Sequence, residues 1–150
     1  MYSKSEAASI KKEFWTSFGA YMKPILNADA QSINWVNYKT GIKNIFFRTD
    51  VDNKKASISI EINHLSTEER NEVFEKLQSL KNTFDEYVFG EWIWLAEAYD
   101  EDGSEMSKIY TNITEVNIFN KSDWPRIISF FKQNLISLDL FWCMVKAHFE

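Results

Sequence analysis

Ala56-Ser57-Ile58-Ser59-Ile60-Glu61-Ile62-Asn63 alternates without a break. In an extended chain Ala56, Ile58, Ile60 and Ile62 point one way, and Ser57, Ser59, Glu61 and Asn63 point the other, because side chains alternate faces along a strand. A strand with one apolar and one polar face suits an antiparallel sheet that is packed on one side and wet on the other.

The flanking segments fit such a sheet. Asp52-Asn53-Lys54 supplies turn residues before the strand, and residues 42–49 read as its antiparallel neighbour. Ile33-Asn34-Trp35-Val36-Asn37-Tyr38, closed by Lys39-Thr40-Gly41, reads as a further strand. Residues 92–99 and 106–113 read as strands joined by the turn Asp100-Glu101-Asp102-Gly103, and residues 114–119 as a short sixth strand or a continuation.

Helical periodicity marks three segments. In residues 5–22, Ala7, Ile10, Phe14, Phe18 and Met22 recur at threes and fours until Lys23-Pro24 stops the run. Ser66-Thr67-Glu68-Glu69 has capping-box spacing and opens a helix over 66–87 carrying Val73, Leu77, Leu80 and Phe84. Ser122-Asp123-Trp124-Pro125 opens the last helix, 123–148, whose apolar residues run from Ile128 through Phe131, Leu135, Leu138, Trp142 and Val145 to Phe149. A helix of that length spans about 37 Å, so it either bends near Asn134 or projects a stripe that offers a homodimer seam. The expected fold is therefore α+β, one domain over residues 1–150, with about five antiparallel strands and three helices in the order α-β-β-β-α-β-β-α.

Composition narrows the class. The 150 residues are 45% hydrophobic and include 12 Phe, 6 Trp and 6 Tyr, enough for one well-filled core. Cys143 is the single cysteine, which excludes an intrachain disulfide and a Cys-rich zinc site. The N-terminal stretch lacks a secretory apolar region, and no run is long and apolar enough to span a bilayer, so the expected location is the cytoplasm, away from membranes.

The net charge of −5 is uneven. Residues 1–55 hold nine Lys/Arg against five Asp/Glu, residues 56–107 three against thirteen, and residues 108–150 five against four. A folded chain with this pattern presents a basic and an acidic side, which can steer a partner.

Four segments carry a family likeness: Lys12-Glu13-Phe14-Trp15-Thr16-Ser17-Phe18-Gly19, residues 33–43, Trp124-Pro125-Arg126-Ile127-Ile128 and Leu138-Asp139-Leu140-Phe141-Trp142. Together they resemble a prokaryotic domain-of-unknown-function family, numbered 4268, over nearly the whole chain. Members of that family stand alone or form the C-terminal part of longer proteins with a nuclease-like region ahead. The resemblance implies no established activity and transfers no functional residue; it brings nucleic acid into view by association alone.

The element order also matches a restriction-endonuclease-like core, which needs an Asp on one strand and Glu-x-Lys on the next to gather a divalent ion. Asp50 or Asp52 and Glu61 are the available acids, but Asn63 stands where the lysine belongs. Asp50 and Glu61 also fall toward opposite ends of the hairpin, about 15–20 Å apart. The remaining reactive groups have structural readings. His64 closes a strand, and His148 lies in the last helical turn, where the helix dipole favours a cation. Cys143 reads as a small buried hydrophobe. The acidic run 100–105 lacks EF-hand spacing and reads as an exposed hairpin tip.

One cluster interleaves aromatics with cations: Trp35, Tyr38, Lys39, Lys43, Phe46, Phe47, Arg48, Lys54 and Lys55. Such a pattern can stack bases and hold phosphates, and Trp35, Lys39, Lys43, Arg48, Lys54 and Lys55 are the candidate nucleic-acid-binding residues. The same pattern arises when aromatics fill a core beneath a lysine-covered surface, and Trp92 with Trp94 admits the same two readings. No catalytic residue, metal ligand or cofactor site is assigned from the sequence. The expectation is a non-catalytic binding or protein-interaction module, with an active or degenerate metal-dependent nuclease-like domain as the alternative.

Overall fold

The computed structural model describes residues 2–63 and 66–150 of the chain. Helix α1 (Lys4–Met22) starts at Ser3, whose hydroxyl accepts the Glu6 amide while the Glu6 carboxylate accepts the Ser3 amide. Its stripe buries Phe14, Phe18 and Met22, and Pro24 ends it as the sequence predicts.

The segment between α1 and the first strand departs from expectation. Residues 33–38 form turns and no strand. Asn34 Oδ1 accepts the amides of Val36 and Asn37, and Asn27 Oδ1 accepts those of Asp29 and Gln31. Side-chain acceptors thus occupy the donors a strand partner would need. Asn44 adopts a left-handed φ of 69° just ahead of β1, which delays that strand to Ile45–Val51 instead of 42–49.

Strand β2 (Lys55–Ile62) confirms the alternating reading: Ala56, Ile58, Ile60 and Ile62 are all fully buried. Full burial of an Ile side chain contributes about 1.5–3 kcal/mol, so β2 is well anchored. Ser66 Oγ accepts the Glu69 amide and starts α2 (Thr67–Ser79). The expected helix over 66–87 is two helices, α2 and α3 (Lys81–Tyr87), parted at Leu80. Ser79 Oγ donates to the Lys76 carbonyl at 2.6 Å and draws off an acceptor at that break.

Strands β3 (Ile93–Tyr99) and β4 (Glu105–Thr114) form the second hairpin. Residues 114–119 make no further strand: Glu115 has a φ of 61°, and Val116 and Ile118 turn inward while their amides bond the Lys54 and Asp52 carbonyls. Helix α4 (Trp124–Val145) follows, with a final 3-10 turn at Lys146–Phe149.

Among the described residues the fold is α+β, with a four-stranded antiparallel sheet in the order β1-β2-β4-β3 and four α-helices on one face. The fifth strand and the single second helix of the sequence reading are corrected accordingly. Helix α4 lies over β2, with α1 against its first half through the rings of Phe14, Trp15, Phe18 and Phe131. The α4 stripe from Ile127 to Val145 is buried inside the chain. Its length needs no projecting end, and the anticipated dimer seam is spent on the core.

Among the described residues no helix is long and apolar enough to cross a membrane.

Candidate interaction surface

The sheet register fixes which side chains share the face without helices. Phe46, Arg48 and Asp50 lie opposite Glu61, Ser59 and Ser57, and those in turn lie opposite Lys108, Tyr110 and Asn112. Ile93 and Leu95 extend the same face across β3. The Arg48 guanidinium sits 4.5 Å from the Phe46 ring centroid and 3.9 Å from a Glu61 oxygen. The Lys108 ammonium lies 5.0 Å from the centre of the Tyr110 ring. The β3–β4 tip borders this face, so that Tyr99 and residues 100–102 line a cavity of about 360 Å³ together with Arg48, Asp50 and Glu61.

That register also places the acids considered for metal chemistry. Asp50 faces Ser57, four positions from Glu61, an offset of about 13 Å along β2. The two carboxylates share a face with Arg48 between them. A cation does stand beside Glu61, but it is Lys108 from the neighbouring strand, which the linear motif search misses. Asp52 is a turn residue. Slight burial pushes its carboxyl up, but the amides of Lys54 and Lys55, at 2.7 and 2.9 Å, outweigh that and hold it below the usual range.

The six candidate nucleic-acid residues do not converge. Trp35 is only 3% exposed, and its indole N–H donates to the Ile25 carbonyl at 2.9 Å. It belongs to the core, because the loop around it is folded inward, and it is unavailable for base stacking. Lys39 and Lys43 are exposed before β1, Arg48 lies mid-strand on the open face, and Lys54 and Lys55 lie at the far turn. Seven strand residues separate the two lysine pairs, about 23 Å.

Trp92 and Trp94 serve both of their readings. They pack edge-on against Phe84, and they line a groove of about 610 Å³ with Phe89 and Glu91. Beside them β3 is an edge strand. A bulge interrupts its pairing between Leu95 and Ala98, and a buried polar chain pins it. Ser107 Oγ donates to the Ala96 carbonyl at 2.6 Å and accepts Arg70 Nε at 3.1 Å, while Arg70 also binds the Glu105 carboxylate. Arg70 is 2% exposed and Ser107 fully buried. Sequence reasoning missed both; the signal was that Arg70 falls four residues before Phe74, on the buried stripe of α2.

A further groove of about 730 Å³ opens where β4 outruns β3, between Thr111–Ile113 and residues 129–137 of α4, with Tyr21 and Lys132 in its lining. Cys143 is exposed, contrary to its buried reading, because it falls off the apolar stripe of α4. Partial desolvation and the Asp29 carboxylate, 3.7 Å from Sγ, push its pKa upward, which works against a reactive thiolate. His148 is exposed, and its carbonyl accepts Lys76 Nζ at 2.8 Å. His64 lies outside the described residues. The run after Asp100 is an exposed turn, its amides at Asp102 and Ser104 bonded to Asp100 Oδ1. No group of three or more His, Cys, Asp or Glu stands close enough to hold a metal among the described residues.

A family model described as a domain of unknown function, DUF4268, matches residues 10–146, from within α1 to the end of α4. The chain belongs to DUF4268. No curated protein and no solved structure matches it. The four segments that carried the likeness lie mainly in α1, the turn-rich loop before β1 and α4 of the DUF4268 fold. Within them Phe14, Phe18, Trp35, Trp124, Leu138, Phe141 and Trp142 are buried, so these aromatic and aliphatic residues serve the packing of the core.

Proposed function

We propose that this DUF4268 chain is a non-catalytic module that binds another protein. One observation carries the reading: β3 leaves a sheet edge open with Phe89, Ile93, Leu95 and Tyr99 exposed beside it, in surroundings rich in carboxylates. Exposed apolar groups clustered at one place on a polar surface mark interaction sites more often than scattered single ones do. Tyr38, Arg70 and Cys143 are engaged in structural contacts, with Asp139, Glu105 and Asp29 respectively. Selection of phage-displayed random peptides on the immobilised full chain tests the reading, with recovery of specific binders as the expected outcome.

A second reading has its own support. Glu61 lies between Arg48 and Lys108 on the open face, and two cations beside a carboxylate suit a phosphodiester better than a peptide. That arrangement favours a nuclease-like domain, active or degenerate, acting on nucleic acid across the sheet. Incubation of DNA and RNA with the chain and Mg²⁺ or Mn²⁺ separates the two. Cleavage abolished by Glu61→Ala, with no peptide binders selected, transfers the assignment to the second reading.

A further inference from the structure

β3 stands at one end of the strand order, so alternate residues of the stretch 92–95 direct their amide and carbonyl groups away from β4. Among the described residues no backbone hydrogen bond from another segment reaches that side. Edge strands are ordinarily guarded by Lys, Pro or a bulge. Trp92-Ile93-Trp94-Leu95 carries neither Lys nor Pro, and the bulge begins only after Leu95. On the open side Ile93 is 49% and Leu95 36% exposed, and Phe89, just ahead of the strand, is 76% exposed.

Charge decides what fits there. Between Lys81 and Lys108 the chain holds eight carboxylates and no Lys or Arg. Glu91 and Glu97 bracket the free stretch, both are exposed, and neither is ion-paired among the described residues. A second copy laid along this edge would bring the same carboxylate-rich stretch, with no Lys or Arg between Lys81 and Lys108, against itself, and like charges brought together are destabilising.

Resting on the binding-module reading, we propose that β3 accepts, as a fifth strand, an extended apolar segment of a protein partner flanked at each end by Lys or Arg. The partner's main chain pairs with residues 92–95, its apolar side chains lie against Ile93 and Leu95, and its end cations meet Glu91 and Glu97. The pinned bulge at Ala96 ends the pairing and sets the length of the segment that fits.

The test uses the isotope-labelled full chain and two synthetic peptides, acetyl-Lys-Thr-Val-Thr-Val-Thr-Lys-amide and the same peptide with Glu at both ends, followed through backbone amide resonances. The Lys peptide is expected to bind at least about tenfold more tightly, with a preference that shrinks as salt rises. Shifts and slowed amide exchange should centre on residues 91–97. The double variant Glu91→Lys, Glu97→Lys alters exposed positions only and should reverse the order of the two peptides. Equal affinity for the two peptides, an unchanged order in the variant, or shifts confined to another face overturns the proposal. So does edge protection that grows with protein concentration in the absence of peptide, which assigns the edge to a second copy. Phage-selected peptides that bind the wild type and the double variant alike overturn the edge while leaving the binding-module reading intact; failure to select any peptide removes that reading itself.

Discussion

Tyr38 donates its phenolic hydrogen to Asp139 Oδ1 at 2.5 Å, and the other oxygen of that carboxylate accepts the Ala28 amide at 2.7 Å. One buried acid of α4 thereby ties down two points of the turn-rich loop, and Trp142 adds a third through its bond to the Thr40 carbonyl at 2.7 Å. Among the described residues this loop has no sheet partner, and the clamp supplies the order that strand pairing would otherwise provide.

Asp139→Ala should therefore destabilise the chain by about 1–3 kcal/mol, because it leaves a part-buried amide and a part-buried hydroxyl without their acceptor. Tyr38→Phe should cost less, about 1–2 kcal/mol. Urea unfolding at neutral pH measures both.

The same bond sets a pH dependence. Burial, and then the Asp139 carboxylate, raise the Tyr38 pKa above that of an ordinary tyrosine. The folded state therefore favours the protonated phenol. Its stabilising contribution is fully present below the unfolded value of about 10 and declines as pH rises above it toward the folded value. Denaturation midpoints followed from pH 8 to 11 should fall above about pH 10, and Tyr38→Phe should flatten that fall.

Asp52 runs in the opposite direction. Its lowered pKa means the folded turn favours the carboxylate, so the stabilisation is present above the unfolded value of about 3.9 and is lost as pH falls through the folded value. Asp52→Asn keeps an acceptor for the Lys54 and Lys55 amides but has no proton to gain. Acid titrations followed by circular dichroism should show a smaller loss of stability below pH 4 in the variant.

Arg70→Met removes the buried partner of a partly exposed Glu105 and the donor to Ser107, at a cost of about 1–3 kcal/mol. The bulge that Arg70 braces through Ser107 should loosen as well. Amide exchange at residues 93–99 should quicken by more than the global loss of stability predicts, while β1 and β2 follow the global value.

In α4 the contrast between faces is the measurement. Leu138→Ala, at a fully buried site, should cost about 2–5 kcal/mol. Leu140→Glu and Met144→Glu, at 41% and 58% exposure, should change stability by less than about 0.5 kcal/mol. Light scattering on these two variants should match the wild type, since the α4 stripe is already buried in the chain.

The central strand and the long helices were legible because their signals are local. Alternation from Ala56 to Ile62 and the threes and fours of α1 and α4 each fit one backbone geometry. The strand expected at 33–38 failed for a reason equally close at hand: Asn34 supplies its own acceptor to Val36 and Asn37. The split at Leu80 and the buried Arg70 were missed although each had a local signal, Ser79 beside the break and Arg70 four residues before Phe74; packing alone decided that Ser107 and Glu105 would receive the guanidinium.

What the sequence determined by itself was the apolar face of β2, α1 and α4, the turn between β3 and β4, and the family to which the chain belongs. Tertiary structure alone decided that Lys108 would stand beside Glu61, that Trp35 would be buried, and that β3 would be left at the edge with Glu91 and Glu97 around it. Strand order arises from which hairpin docks against which beneath the helices, a competition among long-range contacts. A strand's own pattern encodes its faces but not its neighbours.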